Sequence, residues 1–336
     1  MWLQALRRFI RGGHLIGRTF VMLDLYPASR ALFLLGATDS GLLHALRTPR
    51  TRKELVTDLG VTRTELLDGL LAEGIAWREI AIKDGRYRLR GRRARALVSD
   101  IGDAYFAQIQ ECFSYHGAAY GTVRDRLRGA PLGNYLDETG DIVARSSRIL
   151  EAPTLAFLDR CLKDSRPASL LDIGCGSGIY LRCAAKALSD VQAVGVDMHE
   201  AATDLAVRNL KEWGISGVRV VTANILDPPH ELGGLFEMIT LFHNLYYFED
   251  AQRTKLIFIL RELLAPGGSV VVVSYVQGRS RIATHFDNVL RNTQGNTALP
   301  TLDETVGLFD RNGFSVERPR RLVPRESLFG LVARTG

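Results

Sequence analysis

The sequence predicts an α/β protein: a doubly wound, Rossmann-like parallel sheet preceded by a mostly helical N-terminal winged-helix region. Three observations predict it. Short β-rich runs alternate with helical stretches from Ser169 onward, the pattern of a parallel sheet covered by helices. The stretch "LLDIGCGSGIY" (Leu170–Tyr180) ends an apolar run in one acid and then places glycine at 174, 176 and 178. The front of the chain is punctuated as two short helices followed by a hairpin.

The elements follow in order. "ASRALFLLGATDSGLLHAL" (28–46) has apolar residues at helical spacing. "TRKE" (Thr51, Glu54) and "TRTE" (Thr62, Glu65) both match S/T-x-x-E, in which hydroxyl and carboxylate reciprocally cap amides of a first helical turn, and Gly60 between them reads as a stop. "IAWREIAIKDGRYRLRG" (75–91) reads as two strands around the turn pair Asp84-Gly85. Residues 100–165 read as helical throughout. "SLLDIG", "VQAVGVD", "VRVVTANI", "EMITLFHN" and "SVVVVSYV" then supply five buried strands, and "FSVERPRRL" and "SLFGLVART" two edge strands. This divides the chain into a winged-helix, dimerisation region at 1–100, a helical linker and substrate-chamber segment at 101–150, and a catalytic domain at 151–336.

Composition, at 46% hydrophobic and 24% charged, excludes disordered and collagen-like classes. The net charge of +6 is uneven: residues 1–100 hold 18 Lys+Arg against 10 Asp+Glu, the remainder 25 against 27. A basic front suits nucleic acid, an anionic surface, or simply a solvated Arg-rich face. Four cysteines (112, 161, 175, 183) form no CxxC pair and suit a reducing cytoplasm. "MWLQALRRFIRGGHLIGRTF" lacks the apolar core and cleavage site of a signal peptide. The apolar region after it is interrupted by Asp24, Pro27, Arg30 and Asp39, so no membrane span is expected; the N-terminus is expected to dock onto the body or a second subunit.

In a doubly wound sheet, ligands bind beyond the carboxyl ends of the strands. Glycines there allow a tight turn and close backbone approach, and the next helix aims free N–H groups at the site. Asp172 stands where a cationic amine would meet it. Asp197 ends the second strand 19 residues after Gly178 and is placed to accept ribose hydroxyls. Position 179, where a dinucleotide fold wants its third glycine, is Ile179.

"LLDIGCGSG" followed by "VGVD", "TANILD", "MITLFHNLYYF" and "LLAPGGSVVVVS" resembles the class I S-adenosylmethionine-dependent methyltransferases over residues 150–335. The resemblance implies that Asp172 and Gly174 lie near the methionine amine and carboxylate of S-adenosyl-L-methionine, that Asp197 binds its ribose, that Met198 packs on the adenine and Asn224 and Ile225 meet its edge, and that Cys175, Gly176, Gly178 and Phe242 also belong to the cofactor site. The winged-helix front is similar to that of small-molecule O-methyltransferases, which use it to dimerise; nucleic acid is then not the expected partner.

Catalysis of methyl transfer requires in-line placement of a nucleophile and removal of its proton. His243, at the end of the fourth strand, is the candidate base, or a ligand of a metal that acidifies the acceptor, or a cofactor-lining side chain. Asn244, Tyr247, Tyr275, His285 and Arg145 are the candidate substrate residues. "LPTLDE" (299–304) with "FHN" is similar to bacterial 2-oxo acid C-methyltransferases, some of which hold a metal with two histidines; the second of those positions is Asn292 here. The expected function is methylation of a small specialised metabolite, on a hydroxyl oxygen or the carbon next to a 2-oxo acid carbonyl. The alternative is a DNA-binding regulator with a cofactor-sensing domain.

Overall fold

The structure, a computed structural model, describes residues 14–295 and 298–335; the basic, apolar stretch 1–13 lies outside them. The chain divides into two compact units, Met1–Ser114 with Asp141–Ile149 and Tyr115–Gly140 with Leu150–Gly336.

The first unit opens on α1 (Leu15–Asp39) and α2 (Leu42–Ala45). α1 is continuous where the sequence reads as interrupted. It runs for 25 residues through Pro27, and its stretch Ile16–Asp39 is long and apolar enough to cross a membrane by length and composition alone. Its charges are too widely spaced to break the apolar window. The N-terminal half exposes Phe20, Val21, Met22, Leu23, Leu25 and Tyr26, whereas Phe33, Leu34 and Ala37 join the unit's core with Leu42, Leu55, Leu67 and Leu71.

After β1 (Arg50–Thr51) comes α3 (Arg52–Asp58), whose capping box is formed as expected: Glu54 N donates to Thr51 Oγ1 at 3.2 Å and Thr51 N to the Glu54 carboxylate at 2.6 Å. The second expected box is absent. α4 (Thr64–Ala76) starts behind Arg63, with no side-chain cap, so Glu65 sits one residue short of the position from which a carboxylate reaches the cap amide. α4 holds Glu65, Asp68 and Glu73 and no Lys or Arg. β2 (Ile80–Lys83) and β3 (Arg86–Leu89) form the hairpin, with Asp84 and Gly85 both at positive φ, 50° and 71°, as a two-residue primed turn demands. The sheet order is β1-β3-β2. α5 (Arg92–Leu97) and α6 (Gly102–Glu111) follow.

The helical run expected over 100–165 is broken. A π turn spans Cys112–His116, α7 covers Gly117–Gly121 and α8 Val123–Arg126. Irregular chain then leads, past Gly129 at φ 95° and Pro131, to α9 (Tyr135–Ser146), itself kinked at Thr139. A 3₁₀ turn precedes α10 (Glu151–Ser165).

The sheet of the second unit contains β4 (Ser169–Ile173), β5 (Gln192–Asp197), β6 (Val218–Thr222), β7 (Phe236–Phe242), β8 (Leu264–Tyr275), β9 (Phe314–Val316), β10 (Arg320–Arg321) and β11 (Leu328–Thr335). Its order is β10-β11-β8-β7-β4-β5-β6, with β9 also paired to β11. β4 to β8 are parallel, linked by α11 (Ile179–Ala187), α12 (Glu200–Glu212) and α13 (Asp250–Leu263) among others. Strand order reverses at β4, which opens the crevice beyond the carboxyl ends of β4 and β7. β11 is not the edge strand expected from the sequence. It pairs antiparallel with β8 from Leu328 to Arg334 and carries β9 and β10 on its other side, because its apolar residues feed both cores: Leu331 and Ala333 one, Leu328 the other. The same alternation puts Val270 and Val272 with Leu171 and Ile239 on one face, and Val271 and Val273 with Leu170 and Met238 on the other.

α14 (Arg281–Arg291) and α15 (Leu302–Asp310) follow β8. "LPTLDE" contains the start of α15: Glu304 N donates to Thr301 Oγ1 at 3.1 Å and Thr301 N to the Glu304 carboxylate at 2.7 Å. Thr301→Ala should therefore lower unfolding stability in urea by about 1 kcal/mol and leave cofactor affinity, measured by calorimetry, unchanged.

Candidate active site

The site grows from the end of β4. Gly174 N and Cys175 N both donate to Val196 O, at 2.7 and 3.1 Å, so the chain folds over the neighbouring strand. Gly174, Gly176 and Gly178 all hold positive φ, at 67°, 51° and 78°. At Gly174 a Cβ would meet Asn244 Nδ2 at 2.4 Å, so a side chain here would displace the Asn244 amide in addition to straining the backbone.

Asp172 is 1% exposed. Thr240 Oγ1 donates to its Oδ1 at 2.6 Å, and its Oδ2 is buried with no hydrogen-bond partner among the described residues. Burial pushes the carboxyl up to about 7, with Asp197 adding to the rise and the Thr240 bond opposing it. Asp197 ends β5 and accepts from Gly176 N and His199 N, both at 3.1 Å. Met198 beside it is exposed, and Ile225 is buried. Asn224 Oδ1 accepts from Leu226 N at 3.0 Å, which fixes the turn after β6 and leaves the oxygen a second lone pair.

β7 delivers Phe242, His243 and Asn244. Phe242 is buried and meets the Tyr180 ring edge-on at 4.8 Å. His243 has φ 59° without being glycine, an unfavourable backbone held by its N–H bond to Val273 O at 2.8 Å. Thr154 of α10 donates its single hydroxyl proton to Leu150 O at 2.7 Å and lies 2.8 Å from His243 Nε2. The network thus assigns the ring proton to Nε2, with Thr154 accepting. Nδ1 is then a bare lone pair, buried and without a partner among the described residues. Burial lowers the imidazole to about 4, so it is neutral at pH 7. Asn244 Nδ2 donates to Ile173 O at 2.6 Å, while its Oδ1 is buried and unpartnered. The turn is clamped from α13 by buried Arg253, whose Nε donates to Leu245 O at 3.2 Å.

Three acceptors, Asp172 Oδ2, His243 Nδ1 and Asn244 Oδ1, therefore stand without donors at the ends of two adjacent strands. Such a set fits a ligand that brings donors and positive charge. Of the other expected residues, Tyr247 packs on Tyr246 at 4.7 Å, and Tyr246 and Tyr275 pack on Phe286 of α14 at 5.1 and 6.1 Å. Burial pushes the Tyr275 phenol up to about 12. His285 belongs to a different cluster: its Nε2 lies 3.0 Å from His116 Nδ1, and its Nδ1 3.2 Å from Tyr120 OH. Arg145 lies in the first unit, where it pairs with Asp103 and Gln110. Sequence reasoning missed Thr154, Thr240 and Arg253.

Residues 170–268 match the family described as a methyltransferase domain. This stretch is a methyltransferase domain. It contains β4 to β7 and the glycine turn, so the family match and the unpartnered acceptors fall on the same residues. Two curated relatives match in sequence. An uncharacterised protein of Rickettsia prowazekii (strain Madrid E) is 31% identical over 109 residues, 32% of this chain and 42% of its own length. EEF1A lysine methyltransferase 2 of Danio rerio is 29% identical over 121 residues, 33% and 49% respectively. The match thus spans about half or less of these relatives. Among solved structures, mitomycin 7-O-methyltransferase MmcR has a TM-score of 0.78 at 15% identity, covering 97% of this chain and 100% of its own. Human N-acetylserotonin methyltransferase, solved with SAM, has 0.74 at 12%, covering 95% and 98%. The fold of the whole chain is that of these methyltransferases.

The site's residues fit S-adenosylmethionine. Unpartnered Asp172 Oδ2 and Asn244 Oδ1 suit its ammonium, and the lone pairs left on the Asp197 carboxylate suit its ribose hydroxyls. Among the described residues no group of three or more His, Cys, Asp or Glu is assembled, and Asn292 turns its amide to Asn288 O at 2.8 Å.

Because His243 is buried neutral, the unfolded chain binds its proton more readily, and stability falls as pH drops from about 6.5 toward 4. Between pH 7 and 5 the wild type should lose about 2 kcal/mol more than His243→Asn in urea unfolding; equal losses would contradict the burial.

Proposed function

We propose that the protein transfers a methyl group from S-adenosylmethionine to a small-molecule acceptor, with His243 as general base. The observation that carries this reading is the trio of buried acceptors without donors at the ends of β4 and β7. When bound, S-adenosylmethionine supplies a methyl group already made electrophilic by its sulfonium. Asp172 and Asn244 accept hydrogen bonds from its ammonium, Asp197 takes the ribose, Ile225 and Met198 offer apolar surface to the adenine, and Phe242 lines the site beside Tyr180.

His243 then removes a proton from the acceptor through Nδ1, while Thr154 holds the ring by Nε2. An imidazole held this low is a weak base, which narrows the acceptor. A phenol, or a carbon acidified by a neighbouring 2-oxo acid carbonyl, matches it better than an aliphatic alcohol. Tyr247, packed on Tyr246, and Tyr275, packed on Phe286, supply aromatic walls. Tyr115, His116 and Tyr120, bonded to Thr293 and His285, form the remainder of the acceptor-binding region.

The reading includes a homodimer in the cytoplasm. The exposed apolar residues of α1 suit a second copy of the chain, and four free cysteines suit a reducing compartment. A DNA-binding role is disfavoured by α4. In a helix-turn-helix the second helix enters the groove; Glu65 and Glu73 would be repelled by phosphates, and Asp68 already holds the Arg52 guanidinium at 2.6 and 2.7 Å.

Labelled methyl transfer to a panel of phenols and 2-oxo acids tests the proposal. Wild type should methylate at least one class. His243→Ala should lower kcat by roughly 10²–10⁴ with cofactor affinity near normal, and an unchanged kcat would remove His243 from the chemistry.

A further inference from the structure

Asp172 is a buried acid in surroundings that do not favour its charge. It is 1% exposed, and among the described residues a single neutral side chain, Thr240, donates to its carboxyl, through Oγ1 at 2.6 Å. The titratable groups around it bring no compensating cation. Across β5 stands the Asp197 carboxylate, whose charge disfavours a second anion. Cys175 in the turn and Tyr180 on α11 are pushed upward by burial and stay neutral. On β7, His243 is held neutral as well. An isolated ionised carboxylate is strongly disfavoured in such a place, and the neutral carboxylic acid much less so.

We propose that capture of the cofactor is proton-linked: Asp172 carries a proton before the ligand enters and releases it to solvent when an ammonium takes its place, with Thr240 as the residue that positions Asp172 and sets the balance. The inference rests on the cofactor reading above. The step balances as a carboxylic acid plus an ammonium giving a carboxylate–ammonium pair and one free proton. Thr240 acts through Asp172. Its hydrogen bond to Oδ1 favours the ionised form, so removing it makes the proton harder to release. Thr240 is fully buried and carries no motif, and nothing in the family's glycine signature points to it.

The linkage has a definite sign. Below the pH at which free Asp172 ionises, affinity should fall about tenfold per unit, because each binding event must expel a proton. Above that pH affinity should level off, until the ligand's own amine loses its charge near pH 8. Burial places the midpoint at about 7.

Calorimetry at pH 6–6.5 in buffers of different ionisation enthalpy tests this, with S-adenosylhomocysteine as probe because it keeps the ammonium and lacks the reactive methyl. Wild type should release about 0.5–1 proton per ligand, and its affinity should climb from pH 5.5 to 7. Thr240→Val should move the midpoint upward, weaken binding at pH 6.5 and recover toward pH 8, while Thr240→Ser restores the wild-type profile. Asp172→Asn should bind more weakly, with no proton release and a flat pH profile. Tight binding with buffer-independent heats and a flat profile in the wild type would overturn the proton linkage and leave the cofactor reading standing. No binding at any pH would overturn that reading and the linkage with it.

Discussion

The carboxyl group of Asp172, buried at the end of β4 with one oxygen left without a partner among the described residues, is the constraint on which the site depends. A buried acceptor of this kind is tolerated only where something else completes it. β4 delivers the acid, the turn bends away over Val196 O, and β7 brings Thr240 to one oxygen. The reversal of strand order at β4 keeps the other side of the site open for a ligand. His243 and Asn244 extend the same logic. Their outer atoms are held by Thr154 and Ile173 O, and their inner atoms are left bare.

The parts of this arrangement differ in how they are written in the chain. The glycine turn was legible because three left-handed backbone positions within five residues need glycine, and the hairpin because Asp84-Gly85 satisfies a turn with two positive φ angles. His243 and Asn244 were legible by position at a strand end. Their partners were not. Thr154 lies 89 residues away on α10, and Thr240 reads within "MITLF" as an ordinary β-branched strand residue. The "TRTE" sequence matched a cap by composition, but the helix begins too late to use it. Arg145 was expected near the substrate; its guanidinium instead meets Asp103, 42 residues earlier, a pairing that no local pattern announces. "LPTLDE", read as a point of resemblance, has a local physical role in starting α15.

The low basicity of His243 ties structure to chemistry. A ring freely exposed to water would titrate near neutrality and serve many acceptors. Here burial keeps it neutral, and Thr154 fixes which nitrogen is bare, so in the proposed role of base it suits acceptors that are themselves acidic. The left-handed backbone at His243 is the local cost of aiming that nitrogen, and the bonds of the turn to Val273 O and Arg253 hold it there.

A crystal structure with S-adenosylhomocysteine bound tests the central claim most directly. The account places the ligand's ammonium nitrogen about 2.7–3.2 Å from Asp172 Oδ2, with Asp197 on the ribose. A ligand seated elsewhere, or an Asp172 oxygen satisfied instead by a protein donor while the ligand is bound, would contradict it.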